Sequence, residues 1–148
     1  MVSLVLVAHS DRLLAALVEM LGVSTADGPR CFVAGGTQDG RLGTSLARVR
    51  TALRAGLDAS DEGCLVLYDT GSAWLTIGFA IDELEPGDRA RTDVSDAPLV
   101  EGALAAAARA AEGAPLEEVA AAAGAALASD KRPGTAVPGD DAGVRLTA

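Results

Sequence analysis

Histidine, lysine, cysteine and aromatic residues are all scarce in this 148-residue chain. It has one histidine, one lysine, two cysteines and four aromatic residues, against a hydrophobic content of 49%. The core must therefore be built from aliphatic side chains rather than from stacked rings. One histidine and two separate cysteines form no metal-ligand cluster in the sequence, and we expect neither a metal nor another cofactor. Cys31 and Cys64 lie in apolar runs and are predicted to be small core residues.

Basic charge is also in short supply. Twelve Lys and Arg residues face 21 Asp and Glu residues, which gives a formal net charge of -9. This balance argues against a nucleic-acid partner, because such partners are held by basic surfaces. The first apolar run has no basic residue before it and breaks at His9, so it predicts neither a signal peptide nor a membrane span. We expect a cytoplasmic protein with no membrane partner.

Four short apolar runs without polar alternation are typical of strands that are covered on both faces. The predicted strands are Val2–Val7, Cys31–Ala34, Cys64–Tyr68 and Ala90–Val94. A helical pattern follows each strand, and a last helix is predicted over Leu116–Leu127. The helix after the first strand is predicted to end at Gly22, and the helix after the second strand to begin at a cap, Thr44 or Ser45, and to end before Gly56. The helix after the third strand is predicted to be capped by Ser72 and to end at Pro86-Gly87. The helix after the fourth strand is predicted over Leu99–Ala111, with Pro98 in its first turn.

Strands that alternate with helices predict an α/β fold with a mainly parallel sheet of four strands, flanked by helices. If the first and third strands are neighbours, the strand order is 2-1-3-4. We expect one domain over residues 1–128. Residues 129–148 lose the apolar pattern and are rich in Pro, Gly and Asp, so they are predicted to be a linker or a disordered tail.

Two ionisable side chains stand where predicted strands end, His9 after the first and Asp69 after the third. Parallel strands end at one edge of a sheet, so neighbouring strands would bring these two side chains together. A carboxylate there can accept a hydrogen bond from one ring nitrogen and leave the other nitrogen free as a nucleophile. Two plainer interpretations stay open, a structural histidine and an aspartate that only caps a helix.

The second predicted strand is followed by a glycine-rich loop, GGTQDGRLGTS. Backbone N–H groups in such loops can approach an anion. The loop is not a nucleotide-binding P-loop, because Arg41 and Leu42 stand where that motif requires Lys and Ser or Thr. A flexible connection is an equally good interpretation of these glycines.

The four strand exits together carry a resemblance to a known family. The segments LVLVAHS, AGGTQDGRLGTS, LVLYDTGSA and DAPLVEGAL resemble the mannose-type IIA phosphocarrier domains of the phosphoenolpyruvate-dependent phosphotransferase system. The resemblance covers residues 1 to about 127 in the expected order and is greatest to the phosphotransfer subunits of dihydroxyacetone kinases. It implies the mannose-type IIA fold and a homodimer, for which the Ala-rich helices would offer a low-relief apolar surface.

The resemblance also implies roles for individual residues. His9 would accept a phosphoryl group from the phosphocarrier protein HPr and pass it to ADP on the nucleotide-binding subunit of the kinase, where the ATP formed phosphorylates dihydroxyacetone. Asp69 would orient His9. The remaining phosphate-binding candidates lie in the loops at the same strand exits: Ser10, Gly36, Thr37, Gly43, Thr44, Gly71 and Ser72.

Three alternatives differ from this interpretation. The chain could be the IIA component of a mannose-type sugar transporter, or a non-catalytic interaction module that uses its Ala-rich helices. It could also be a receiver-like domain with Asp69 as the phosphoacceptor. Receiver domains need an acidic pair after the first strand and a lysine near the site, whereas here His9-Ser10-Asp11 follows that strand and Lys131 is the only lysine.

Overall fold

A parallel sheet of four strands forms the centre of this computed structural model, which describes residues 1–24 and 28–132. The order is β2-β1-β3-β4, and all three pairings are parallel. The strands are β1 (Ser3–Ala8), β2 (Cys31–Gly35), β3 (Cys64–Tyr68) and β4 (Thr92–Ser95). The predicted α/β class and the 2-1-3-4 order are confirmed.

Helices cover both faces of the sheet. Those in the described ranges are α1 (Asp11–Ser24), α2 (Leu46–Asp58), α3 (Gly71–Asp82), α4 (Pro86–Ala90), α5 (Leu99–Ala111) and α6 (Leu116–Ala125). Side chains alternate along β1, so Leu4 and Leu6 pack under α1, α5 and α6, while Val5 and Val7 pack under α2 and α3. The central strands β1 and β3 are therefore buried on both faces, as their unbroken apolar runs predicted, whereas the edge strands β2 and β4 keep exposed residues such as Val33 and Asp93.

The core is aliphatic, and α5 contributes to it mainly through alanines. Ala103, Ala106, Ala107 and Ala110 are fully buried against the sheet and α6. These small side chains let α5 and α6 pack closely within one chain. The face that was expected to support a homodimer is thus used inside the subunit, and the homodimer itself stays a prediction.

Two glycines expected to end helices lie inside them instead. Helix α1 continues past Gly22 to Ser24, and α2 continues past Gly56 to Asp58. Gly56 is a packing residue, because a Cβ there would lie 2.8 Å from Val5 Cγ2 and 3.2 Å from Ser3 Oγ. Ser3 Oγ also donates a hydrogen bond to the Gly56 carbonyl at 2.8 Å, which fixes α2 directly on β1. The cap at Ser45 is confirmed, since its side chain accepts from the Arg48 amide.

The connection from β3 to β4 differs from the prediction. Helix α3 ends at Asp82, and Pro86 begins the short helix α4 rather than ending α3. Ala90 is the last residue of α4, so β4 starts at Thr92 instead of at Ala90 as predicted. Proline suits the first helical position because its missing N–H would have no partner there.

The C-terminal part differs in smaller ways. Helix α5 has its predicted bounds with Pro98 as the N-cap, and α6 ends at Ala125 with a 3-10 turn over Ala126–Ala128. Residues 129–132 are exposed and form neither helix nor strand, while the rest of the predicted tail, 133–148, lies outside the described residues. Within the described ranges, no helix is long and apolar enough to cross a bilayer.

Both cysteines pack with aliphatic residues. Cys64 is fully buried in β3, and Cys31 is partly buried at the start of β2. Burial raises the pKa of both thiols to about 11. They therefore stay protonated at neutral pH, as expected of small core residues rather than nucleophiles.

The contact between Gly56 and β1 gives a stability prediction. We expect Gly56→Ala to lower the free energy of unfolding by about 2 kcal/mol, because the new methyl group must displace Val5 or Ser3. Gly78→Ala in α3 is the matched control, since its Cβ would meet nothing within 4 Å and the change gains up to about 1 kcal/mol of helix propensity. Urea unfolding measures both, and equal effects of the two variants would contradict the packing role of Gly56.

Candidate functional site

His9 and Asp69 meet at the carboxyl edge of the sheet because their strands are neighbours. Val7 in β1 pairs with Tyr68 in β3, and the Asp69 amide continues this ladder by donating to the Val7 carbonyl at 3.2 Å. His9 follows β1 by one residue and Asp69 follows β3 by one residue. The His9 side chain is 31% exposed and the Asp69 side chain 15% exposed. The imidazole is thus reachable from solvent, while the carboxylate is largely covered.

The Asp69 carboxylate accepts hydrogen bonds on both oxygens. The Nδ1 atom of His9 lies 3.0 Å from Oδ1 and 3.1 Å from Oδ2. The backbone amide of His9 donates to Oδ2 at 2.9 Å, and the Thr70 amide donates to Oδ1 at 2.7 Å. Asp69 therefore holds both the ring and the backbone of His9.

These hydrogen bonds determine the charge state of Asp69. Burial alone would raise the pKa of this carboxyl, but the donors from the His9 amide, the His9 ring and the Thr70 amide outweigh burial and lower the pKa below its ordinary value. Asp69 is consequently ionised at neutral pH. An ionised carboxylate can only accept hydrogen bonds, so the proton in the contact with His9 belongs to Nδ1.

The other ring nitrogen, Nε2, faces the first turn of α3. It lies 2.7 Å from the Ser72 hydroxyl oxygen. With the proton of the neutral ring on Nδ1, Nε2 carries a lone pair and accepts this hydrogen bond from Ser72. Ser72 was predicted to cap α3, but the N-cap is Thr70, and the Ser72 side chain is directed to His9 instead. The resulting contact places a nucleophilic nitrogen at the surface.

Thr70 is the residue at this site that the sequence did not predict. Its hydroxyl oxygen lies 3.3 Å from His9 Nδ1, where it is a longer second acceptor beside Asp69. Its backbone amide is one of the donors to Asp69. The only sequence signal is its place directly after Asp69, because the role depends on how the chain turns from β3 into α3.

Two glycines of the predicted loop hold the end of β1. Gly43 donates its amide to the His9 carbonyl at 3.0 Å, and Gly36 donates to the Ala8 carbonyl at 3.1 Å. Their φ angles are +144° and +68°, which side chains disfavour. A Cβ on Gly36 would also lie 2.8 Å from the Arg41 carbonyl oxygen. These two glycines therefore fix the backbone that carries the imidazole.

The other predicted site residues lie in the surrounding loops and make no hydrogen bond to His9. Thr37 closes a turn, where its hydroxyl accepts from the Arg41 amide at 3.0 Å. The hydroxyl of Thr44 forms a hydrogen bond of 2.9 Å with the hydroxyl of Thr76 in α3. The Ser10 hydroxyl accepts a hydrogen bond of 3.3 Å from the Leu13 amide and caps α1. Gly71 is the first residue of α3. These contacts support the loops around the ring.

The N-terminus of α3 adds an anion-binding element beside the imidazole. The first amides of a helix have no intrahelical partner and carry partial positive charge. At α3 these amides belong to Gly71 and Ser72, and the Ser72 side chain already touches Nε2. The first turn of α3 therefore lies next to Nε2. Among residues 1–24 and 28–132 no group of three His, Cys, Asp or Glu side chains lies together as a metal site.

Comparisons with known proteins identify the family and the fold. Residues 3–120 match the EIIA-man family, described as the PTS system fructose IIA component. The phosphoryl donor subunit DhaM of PEP-dependent dihydroxyacetone kinase 2 from Listeria innocua is 36% identical over 107 residues, which is 72% of this chain and 84% of that protein. A DhaM subunit from Pantoea ananatis is 41% identical over 123 residues, which is 80% of this chain but 25% of that protein.

A solved structure has the same fold. It is described as that of the unknown function protein EF1359 and superimposes with a TM-score of 0.72 at 29% identity, covering 84% of this chain and 94% of that one. The chain thus spans most of this structure and of the Listeria relative, but a quarter of the length of the Pantoea relative.

The hydrogen bonds at the ring predict the tautomer of His9. We expect long-range proton–nitrogen NMR of the resting protein at neutral pH to show the proton of the neutral ring on Nδ1 and a lone pair on Nε2. The chain has one histidine, so its signals need no assignment by mutation. Ser72→Ala should keep this tautomer, whereas Asp69→Ala should let both tautomers appear. A proton on Nε2 in the wild type would contradict the geometry.

The lowered pKa of Asp69 predicts a pH-dependent contribution to stability. A carboxyl whose pKa is lowered by folding stabilises the protein above its ordinary pKa, near 3.8, and loses this contribution as the pH falls through the lowered value. Asp69→Asn should therefore cost about 2 kcal/mol in urea unfolding at pH 7, and less below pH ~4. Asp61→Asn, an exposed change before β3, is the control. A gap that stays constant to low pH would contradict this account.

Proposed function

This chain belongs to the EIIA-man family of PTS IIA components, and on that premise we propose that it is a phosphocarrier whose His9 takes up and passes on a phosphoryl group. The observation that carries the proposal is the position of the His9 ring, with Nδ1 3.0 Å from the Asp69 carboxylate and Nε2 2.7 Å from the Ser72 hydroxyl at the surface. A nucleophile so placed is reachable by a second protein.

The similar proteins support a role in the phosphorylation of dihydroxyacetone rather than in sugar transport. The similar proteins are named phosphoryl donor subunits of PEP-dependent dihydroxyacetone kinases. We propose that HPr is the donor and that the acceptor is ADP bound to the nucleotide-binding subunit of the kinase. ATP formed there would phosphorylate dihydroxyacetone. The carrier itself would need no cofactor, and it would act in the cytoplasm as a homodimer.

The transfer to His9 follows from the protonation of the ring. Nε2 attacks the phosphorus atom of the donor phosphohistidine, the phosphorus–nitrogen bond of the donor breaks, and its electron pair stays with the donor imidazole. The His9 ring gains positive charge, which the carboxylate of Asp69 stabilises through Nδ1. No proton has to leave His9. When the group moves on, the leaving group is again a neutral imidazole with its proton on Nδ1.

The first turn of α3 would hold the phosphoryl oxygens. The Ser72 hydroxyl occupies the Nε2 lone pair in the resting protein, so it must turn toward a phosphoryl oxygen when phosphorus arrives. The amides of Gly71 and Ser72 lie at the positive end of the helix and can donate to the same oxygens. This arrangement would hold the dianion by hydrogen bonds that are already in place.

The same geometry favours His9 over Asp69 as the phosphoacceptor. Both Asp69 oxygens accept hydrogen bonds from the ring and backbone of His9 or from Thr70. An attack on phosphorus would require Asp69 to give up these bonds. Asp69 is therefore better suited to orient and stabilise the imidazole than to carry the group.

Phosphorylation by phosphoenolpyruvate, enzyme I and HPr tests the proposal. We expect a mass gain of one phosphate on the wild type and none on His9→Gln. Asp69→Asn should still be labelled but roughly a hundredfold more slowly, because the carboxylate orients the ring and stabilises its charge. Addition of the kinase subunits, ADP and dihydroxyacetone should discharge the label.

The bond itself separates the two acceptors. A phosphate on His9 is a phosphoramidate, lost in mild acid and persistent in alkali, whereas a phosphate on Asp69 would be an acyl phosphate, cleaved by alkali and hydroxylamine. We expect the acid-labile form. The proposal would be wrong if the phosphate were lost in alkali, or if the His9→Gln variant took up as much phosphate as the wild type.

A further inference from the structure

Three side chains at the edge of the sheet stand in series as a carboxylate, an imidazole and a hydroxyl. Asp69 lies 3.0 Å from Nδ1 of His9, and Nε2 of the same ring lies 2.7 Å from the Ser72 hydroxyl oxygen. Both distances fall within the roughly 2.6–3.2 Å that joins a nucleophile to its base and the base to the group that orients it. The same three groups, in the same order, hydrolyse esters and amides in serine hydrolases of unrelated folds.

The protonation of this series suits Ser72 as a nucleophile. Burial raises the pKa of the Asp69 carboxyl, but the donors from His9 and Thr70 outweigh burial and lower it, so Asp69 is ionised. The proton of the neutral ring is therefore on Nδ1, and Nε2 accepts the hydroxyl proton of Ser72. A serine whose proton is directed to a neutral imidazole is activated for attack on a carbonyl carbon.

The position of Ser72 in the chain also suits a nucleophile. It is exposed and is the second residue of α3, so its amide has no acceptor within the helix. The N-cap residue Thr70 makes no side-chain hydrogen bond to the helix. In serine hydrolases the amide of the nucleophile itself is one of the donors to the oxyanion. The Ser72 amide, at the positive end of the helix dipole, is the corresponding donor here.

An open cavity beside Ser72 has room for a small ester. Its volume is about 540 Å³, and it is lined by Tyr68, Gly71, Trp74, Val94 and Asp96. Gly71 precedes Ser72 in the chain, so the cavity adjoins the serine. The rings of Tyr68 and Trp74, with centroids 6.1 Å apart, provide an apolar wall for an acyl group. Asp96 and the net charge of -9 disfavour an acyl group that is itself anionic.

We propose that Ser72, His9 and Asp69 form a hydrolytic triad, and that the unphosphorylated protein hydrolyses small uncharged carboxylic esters through an acyl group on Ser72. This activity goes beyond the proposed carrier function and needs none of its partner proteins. It uses Nε2 as a base, whereas the carrier uses the same atom as a nucleophile. A phosphoryl group on Nε2 therefore stops the hydrolysis.

The reaction consumes only the ester and water. The Ser72 oxygen bonds to the carbonyl carbon while its proton passes to Nε2, and the Ser72 amide stabilises the oxyanion. The bond from this carbon to the leaving oxygen then breaks, and the leaving oxygen takes the proton from Nε2. Water attacks the acyl group in the same way, giving a proton to Nε2, and the Ser72 oxygen leaves with that proton. Asp69 stays ionised and stabilises the imidazolium in each step.

Hydrolysis of p-nitrophenyl acetate by the purified protein measures this activity. We expect release of p-nitrophenol above the buffer rate, and an acetyl group on Ser72 in peptide mass spectra of an early quench. His9→Gln should lower the catalysed rate at least about a hundredfold, because the base is lost. Ser72→Ala should lower it to the same level, and the double variant should be no slower than either single variant, because members of a triad act as a unit.

The cavity predicts which esters are preferred. The KM for p-nitrophenyl acetate should be roughly threefold lower at low salt than the KM for p-nitrophenyl hydrogen succinate, whose acyl group is anionic. Asp96→Asn should narrow this difference. An equal KM for the two esters in the wild type would overturn the assignment of the cavity as the acyl site.

A fluorophosphonate probe gives a second readout, since it reacts with serines that a base activates and not with ordinary hydroxyls. We expect the probe on Ser72 of the wild type and no probe on His9→Gln or Ser72→Ala. Ser129→Ala is the matched control, because the exposed Ser129 hydroxyl donates to the Ala125 carbonyl at 3.3 Å and contacts no histidine. This variant should keep the label and the hydrolysis of the wild type. Circular dichroism checks that each variant folds.

The outcomes separate this proposal from the proposed function. If Ser72→Ala hydrolyses the ester as fast as the wild type, the ring attacks directly and the triad is wrong. If the wild type takes up phosphate but neither hydrolyses the ester above the buffer rate nor binds the probe, the triad is wrong while the carrier function stands. Hydrolysis without phosphate uptake overturns the carrier function alone. Hydrolysis that continues in the phosphorylated protein would contradict the role of Nε2 as the base.

Discussion

The contact between Asp69 and His9 is the constraint on which the rest of the site depends. One carboxylate accepts from the Nδ1 atom and from the backbone amide of His9, and so joins the ends of β1 and β3. It fixes which nitrogen carries the proton and therefore which nitrogen is nucleophilic. The same contact lowers the pKa of Asp69, because the hydrogen-bond donors of His9 stabilise the ionised form of the carboxylate.

The strand order of the sheet brings His9 and Asp69 together. Because β1 and β3 are adjacent, parallel and in register, residues that follow them emerge at one level. Helix α3 then starts three residues after β3 and brings the Ser72 hydroxyl to Nε2, on the other side of the ring. The loop after β2 fixes the backbone of His9 from the remaining side through Gly43. The imidazole is thus held by three strand exits while its Nε2 edge stays open to a second protein.

Much of this could be predicted from the sequence. Apolar runs without alternation indicated buried parallel strands, and the strand order followed once β1 and β3 were taken as neighbours. The family resemblance was confirmed by the match over residues 3–120. The helix ends were less predictable because a glycine can either stop a helix or pack inside it. Gly56 is retained within α2 because Val5 and Ser3 leave no room for a side chain, a tertiary contact that no local pattern contains.

The site was predictable only in part, for the same reason. His9 and Asp69 stood out as ionisable residues at strand ends, but the orientation of Ser72 toward Nε2 and the second contact from Thr70 depend on the turn into α3. The contact between the hydroxyls of Thr44 and Thr76, 2.9 Å apart, joins the loop after β2 to α3 and is likewise a tertiary contact that no local pattern contains.

The central claim is that Nε2 of His9 is the atom that carries the phosphoryl group while Nδ1 keeps its proton on Asp69. Coupled phosphorus and nitrogen NMR on the phosphorylated protein, labelled with nitrogen-15 in its single histidine, tests this most directly. The account predicts one phosphorus signal coupled to Nε2 and a proton that remains on Nδ1. A phosphorus signal coupled to Nδ1, or to no histidine nitrogen at all, would contradict it.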